Sequence, residues 1–374
     1  MSGIYIHIPF CKQACSYCDF HFSTSVKNRA AMVGALVREI EMRRTGNEET
    51  IETIYFGGGT PSILETAEIE MLIEAVYGNF DVGHSPEITL EANPDDLSDD
   101  KILALSDTKI NRLSIGIQSF FEEDLRLMNR AHDAGDALRS LETAIKHFSN
   151  ISADLIYGTP GLTDEKWQYN VDTLLRFGIP HISSYALTVE PKTALEKMIG
   201  SGKLPAPSDE QASRQFTQLV GSLTANDFVH YELSNFGKPG FFSRNNSAYW
   251  LGKKYIGIGP SAHSYDGISR SWNVPNNLLY LKSMTSGNRP YQSETLSPTD
   301  RFNESVMTGL RTIWGVDLEK IETCFGMARR NELLSGAKKF LENGLLEIDG
   351  EKLKATPKGK FLADGIASDL FVVG

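Results

Sequence analysis

Short runs rich in β-branched and aromatic residues recur along the first half of the chain: Gly3–Ile8 (GIYIHI), Thr53–Phe56 (TIYF), Glu87–Glu91 (EITLE), Arg112–Ile117 (RLSIGI), Ser152–Tyr157 (SADLIY) and Ile182–Leu187 (ISSYAL). Each reads as a β-strand. Between them, Arg29–Arg44, Ala67–Tyr77 and Asp136–Phe148 return an apolar residue every third or fourth position, the period of an amphipathic helix. Runs starting at 3, 53, 87, 112, 152 and 182 are spaced on the roughly 30-residue scale of βα units. Six consecutive units predict an α/β fold with a parallel sheet curled into a partial (β/α)6 barrel, its ligands at the carboxyl ends of the strands. Periodicity alone leaves a doubly wound open sheet as the alternative.

The pattern changes after about residue 190. SGKLPAPSDEQAS reads as a loop before a helix, and Phe236–Ser247 is rich in Gly, Ser and Asn. Helices are predicted over Asp300–Trp314 and Asn331–Glu342. LLEIDGEKLKATP follows, with Asp349-Gly350 as a hairpin turn, and Pro357 opens a last helix. The predicted domains are the barrel over 1–190, an α/β extension and linker over 191–295, and a helical, winged-helix-like domain over 296–374.

Charge narrows the function classes. Lys+Arg 37 against Asp+Glu 48 gives 37 − 48 = −11. From Asp300 to Gly374 the count is 11 − 12 = −1, so the winged-helix outline lacks the basic footprint of a nucleic-acid surface and no nucleic-acid partner is expected. No apolar run reaches the roughly 20 residues that span a bilayer. The start, MSGIYIHIPFCKQAC, lacks the marks of a signal peptide. A cytoplasmic protein is expected.

Only 4 Cys occur, and Cys11, Cys15 and Cys18 fall in one C-x3-C-x2-C run directly after the first strand. Three thiols packed by chance is one explanation. A zinc site completed by His7 or His21 is a second, since structural zinc takes four ligands. The third is a [4Fe–4S] cluster on three thiolates, which leaves one iron without a protein ligand and therefore reactive. Gly57-Gly58-Gly59-Thr60 closes the second strand, where glycines let the backbone approach a ligand.

IYIHIPFCKQACSYCDF followed by TIYFGGGTPS resembles the radical S-adenosylmethionine (SAM) superfamily, and within it the oxygen-independent coproporphyrinogen oxidase group. The resemblance extends through the C-terminal segment. It implies a [4Fe–4S] cluster on Cys11, Cys15 and Cys18, with SAM chelating the open iron and an electron from the cluster cleaving it to a 5′-deoxyadenosyl radical. It further implies SAM contacts at Tyr5, Gly58, Gly59, Thr60, Glu91, Gln118, Arg130, Asp154 and Ala186. A capping or loop hydrogen bond is the alternative for any one of these residues.

Two features set the subgroup. The oxidases resemble C-x3-C-x2-C-x-C, whereas Phe20 stands at the last position here, and they carry an N-terminal extension before the motif. Both differences are similar to the heme chaperone subgroup. That implies heme or porphyrin as cargo, an electron donor, and an apo-heme protein acceptor such as a membrane respiratory enzyme. A coproporphyrinogen-decarboxylating enzyme is the alternative. The subgroup usually carries H-N-x-x-Y-W, but this chain has Asn245 where that His stands. An amide is a poor iron ligand beside imidazole. His263, in GIGPSAHSYD, is therefore the candidate heme residue, with a buried structural histidine as its alternative.

Overall fold

The computed structural model describes residues 2–44 and 49–373. Its strands are β1 (Ser2–Ile8), β2 (Ile51–Gly58), β3 (Val82–Ala92), β4 (Arg112–Gln118), β5 (Ile151–Tyr157), β6 (His181–Ala186), β7 (Val229–Glu232), β8 (Asn235–Gly237), β9 (Lys254–Ile258), β10 (His263–Tyr265), β11 (Ser269–Asn273) and β12 (Tyr291–Thr295). All twelve join one sheet in the order β12-β11-β10-β9-β1-β2-β3-β4-β5-β6-β8-β7. β1 to β6 run parallel in sequence order, as the βα rhythm predicts. The rhythm misses one strand: β9, from the far half of the chain, lies parallel beside β1 and lengthens the parallel core.

Alternation along these strands explains the barrel. Ile4, Ile6 and Ile8, Ile54 and Phe56, Ile88 and Leu90, and Leu113, Ile115 and Ile117 are almost fully buried. They form one core with the helices α1 (Arg29–Met42), α2 (Thr66–Asn79), α3 (Asp99–Ser106), α5 (Ala134–His147) and α6 (Asp164–Arg176), while Leu125 of α4 (Glu122–Leu127) joins a separate small cluster with Met128, Ile156, Leu187 and Leu195. The intervening residues point to the other face, the lumen. They are polar or small: Tyr5 and His7, Tyr55 and Gly57, Thr89 and Glu91, Ser114, Gly116 and Gln118, and Asp154. Register aligns Tyr5 with Tyr55, Tyr55 with Thr89, and Glu91 with Ser114. A polar lumen walled by an apolar shell is the signature of a binding barrel rather than of a filled one.

Beyond β6 come α7 (Ala194–Gly200), α8 (Asp209–Thr224), α9 (Arg244–Trp250) and α10 (Asn277–Thr285). The Gly/Ser/Asn-rich stretch thus holds β8 and most of α9 rather than a loop alone. A second core gathers α11 (Pro298–Leu310), β13 (Val316–Asp317), α12 (Leu318–Phe325), α13 (Met327–Glu342), β14 (Leu346–Asp349), β15 (Lys352–Ala355) and α14 (Ala363–Asp369). Three helices and the sheet β13-β15-β14 make the winged-helix arrangement, with Gly350 at φ 57° turning the hairpin. The last α-helix starts at Ala363, after a 3-10 turn over Lys360–Leu362, and not at Pro357. No helix among the described residues is long and apolar enough to cross a membrane.

Candidate cofactor site

The cysteine loop leaves β1 and is pinned on three sides. Cys11 N and Ser23 O bond at 3.1 Å, Ser16 N reaches Met128 O at 3.0 Å, and Thr60 N reaches Phe10 O at 2.7 Å. A Cβ on Gly59 would lie 2.5 Å from the Phe10 carbonyl and 3.0 Å from Cys11 Sγ, so the GGG turn presses directly on the loop. All three thiols are free and half-buried. Burial pushes the Cys11 thiol up and Cys18 up to about 11, and each feels the charge of Cys15. As thiolates they need a cation between them. Among the described residues no three His, Cys, Asp or Glu side chains gather tightly enough for a single ion; a cluster instead spreads its thiolates over separate irons. Cys324 is exposed on α12, in the other core.

Arg130 ties this loop to the strand ends. Its Nη1 donates to Cys15 Sγ (3.4 Å) and Tyr17 (3.5 Å), and its Nη2 to Asn93 Oδ1 (2.7 Å) and the Gly116 carbonyl (3.0 Å). Asn93 in turn donates to Thr60 Oγ1 at 3.2 Å, and Gln118 takes a left-handed φ of 67° at the end of β4 beside Gly116. Arg130 Nε and Thr89 Oγ1 are buried with no partner among the described residues, as a lumen awaiting a polar ligand leaves them.

Deeper in, Glu91 accepts from Tyr55 Oη at 2.7 Å and Asp154 from Ser114 at 3.5 Å. Burial pushes Glu91 up to about 7 and Asp154 up to about 6, and their mutual repulsion adds to the rise on Glu91. Two buried carboxyls, raised by desolvation despite the nearby Arg112 charge, fit a cationic ligand such as the ammonium and sulfonium of SAM. Tyr5 Oη donates to His7 Nδ1 (3.3 Å) and His7 Nε2 to the His21 carbonyl (2.9 Å), which fixes a neutral tautomer; burial holds His7 down to about 4. Ala186 ends β6, paired with Tyr157.

The structure thus gathers Tyr5, Gly58, Gly59, Thr60, Glu91, Gln118, Arg130 and Asp154 around one lumen and mouth, while Ala186, at the end of β6, packs against the apolar core. Sequence reasoning missed Asn93, Tyr17 and Tyr55. Asn93, at the end of the EANP run before Pro94, had a usable signal in its position just past a strand. Asn245 lies elsewhere, at the starts of the strands: it is buried, its Oδ1 accepts from Thr53 at 3.1 Å, and its amide donates to Glu87 at 3.0 Å. His263 is exposed on β10, its ring 5.9 Å from Trp272, so the buried-histidine alternative fails.

Comparison with known proteins agrees with this arrangement. The family model of the radical SAM superfamily matches residues 5–174, and that of the HemN C-terminal domain matches 296–362. A heme chaperone HemW of Mycobacterium tuberculosis is 33% identical over 98% of this chain and 94% of its own. One from Lactococcus lactis is 35% identical over 98% of each chain. The solved coproporphyrinogen III oxidase HemN of Escherichia coli superposes with a TM-score of 0.85 at 24% identity, covering 99% of this chain and 90% of that one; at that identity the likeness establishes the fold. By near full-length similarity, this chain belongs to the HemW family of radical SAM proteins.

Proposed function

We propose that the chain is a heme chaperone that binds heme at the barrel mouth and passes it to an apo-protein. The observation that carries this is Phe20, which takes the place of the oxidases' additional cysteine and stands 70% exposed on the mouth loop. Near full-length similarity to HemW proteins supports the same function.

In this proposal Cys11, Cys15 and Cys18 hold the [4Fe–4S] cluster, and Tyr5, Gly58, Gly59, Thr60, Glu91, Gln118, Arg130, Asp154 and Ala186 line the SAM pocket. The bound pair supplies one-electron chemistry at the mouth. Arg130 steadies the Cys15 sulfur and the strand ends together, Glu91 and Asp154 offer negative charge to the cofactor's cationic groups, and the apolar shell keeps bulk water from the lumen. A reductant protein and an apo-heme protein complete the cycle. Free thiols in the cluster loop call for a reducing compartment, which supports the cytoplasm.

One anaerobic, iron-reconstituted sample tests this. Added heme should shift the Soret band and co-elute with the protein, while coproporphyrinogen III with SAM and reductant should give no protoporphyrinogen. Turnover of coproporphyrinogen would replace the chaperone by the enzyme.

A further inference from the structure

His21 is the one histidine of the mouth loop that the cofactor site leaves unused, and its surroundings are unusual. Its Nε2 lies 2.7 Å from Asn277 Oδ1, at the first residue of α10. The Asn277 amide nitrogen is turned toward the Pro9 carbonyl, a long contact of 3.5 Å. That orientation presents the amide oxygen to His21, so Nε2 carries the proton. In the neutral ring that leaves Nδ1 as the nitrogen with the lone pair, and it has no hydrogen-bond partner among the described residues. A histidine whose other ring nitrogen donates to a carbonyl oxygen is held as metal-ligating histidines are held: tautomer fixed, ring oriented, donor strength raised.

What flanks this contact is apolar. Phe20, next to His21, is 70% exposed; Leu278 and Leu279, next to Asn277, are 69% and 46% exposed. Three large, exposed apolar side chains therefore lie within two residues of the His21–Asn277 contact, on an otherwise acidic protein. On α10, Lys282 is one turn from Leu278, exposed, and without an ion pair among the described residues. A flat apolar ring, a metal that takes imidazole and a carboxylate edge are the features of an iron porphyrin, and this patch answers each.

We infer that His21 Nδ1 is the axial ligand of the heme iron, with Phe20, Leu278 and Leu279 as the apolar platform and Lys282 facing a propionate. The inference rests on the chaperone function and names its binding site. Neither Asn245, occupied at the other end of the strands, nor His263 takes that place. His21 and His7 rings lie 6.1 Å apart, and His7 packs against Gly58, so the cargo rests against the wall of the SAM pocket.

The test is heme titration of the full-length reconstituted protein, followed by Soret absorption and low-temperature EPR. Wild type should show an imidazole-ligated signature. His21→Ala should lose it and regain it when free imidazole is added, with iron content and SAM binding unchanged. Asn277→Ala should weaken heme binding about tenfold or more, and Leu278→Glu should weaken it too. His263→Ala should keep the wild-type signature. An unaltered spectrum in His21→Ala, or its loss in His263→Ala alone, overturns the assignment while leaving the chaperone function intact. Failure of the wild type to bind heme at all defeats the chaperone proposal instead. Unchanged heme binding in Leu278→Glu would make the platform a protein-docking surface and overturn its role here.

Discussion

Glu91 closes β3 with its carboxyl on Tyr55 and its charge opposed by Asp154. Its pKa in the folded protein, about 7, lies above the ordinary 4.5. Linkage then has one sign: the stability tied to the protonated form is complete below the ordinary value and is lost as pH rises through about 7. Ligand-free protein should melt at progressively lower temperature between about pH 5 and 8, and Glu91→Gln should flatten that slope when followed by calorimetry. SAM binding should run the other way, tightening several-fold over the same range in the wild type and little in the variant. Gly59→Ala forces a methyl onto the Phe10 carbonyl. An overpacked backbone contact costs about 1–3 kcal/mol, and iron retained after anaerobic reconstitution should fall well below about four per chain, the content of one cluster. Cys15→Ala should abolish both cluster and reductant-dependent SAM cleavage. Cys11 was legible in the three-cysteine run, and Glu91 and Asp154 through the resemblance that this run and the GGG turn carry. Tyr17 and Tyr55 were not, because their partners Arg130 and Glu91 lie far away in sequence and only the curled sheet brings them near, and His21 stood out only as a zinc alternative.

At the scale of elements, strands with six or more residues and helices with clear apolar stripes could be read directly, while β11 and β12, of five residues each, could not. β7, β8 and β10 are three or four residues long, too short to display a period, and α12 is hidden between two longer helices. β9 read as a strand end near His263, but nothing local tells that it pairs with β1. α9 is set by electrostatics: Glu87 accepts from the Arg244 and Asn245 amides, both at 3.0 Å, at the helix's positive end. Its N-cap Ser243 accepts from Asn246 N. Asn245→Ala leaves the buried Thr53 hydroxyl without its acceptor, a loss of about 1–3 kcal/mol. Urea denaturation should show that loss, with heme affinity unchanged. Weaker heme binding in a stably folded Asn245→Ala protein would give this amide a role in the cargo site after all.

The whole molecule is two cores joined by a mostly polar seam. Ile313 N reaches Tyr231 O at 3.0 Å, Lys360 Nζ reaches His230 O at 2.8 Å, Arg270 pairs with Glu304 at 2.7 Å, and Arg311 lies over the Trp250 ring. Seams of this kind hold position rather than supply most of the stability. In a combined Arg270→Ala, Lys360→Ala variant, thermal unfolding should separate into two transitions, one for each core. A single sharp transition in that variant would show the cores to be one cooperative unit. The same seam has another consequence. α9 lies across the strand starts, and the second core packs behind it, touching Trp250 and Tyr231. The barrel is therefore a cup covered at the strand starts, with the cysteine loop on its opposite rim. Whatever passes by that rim shares it with the loop, so traffic there is sequential. A recipient docked on that rim is also a stopper: while it collects its cargo, nothing else passes there.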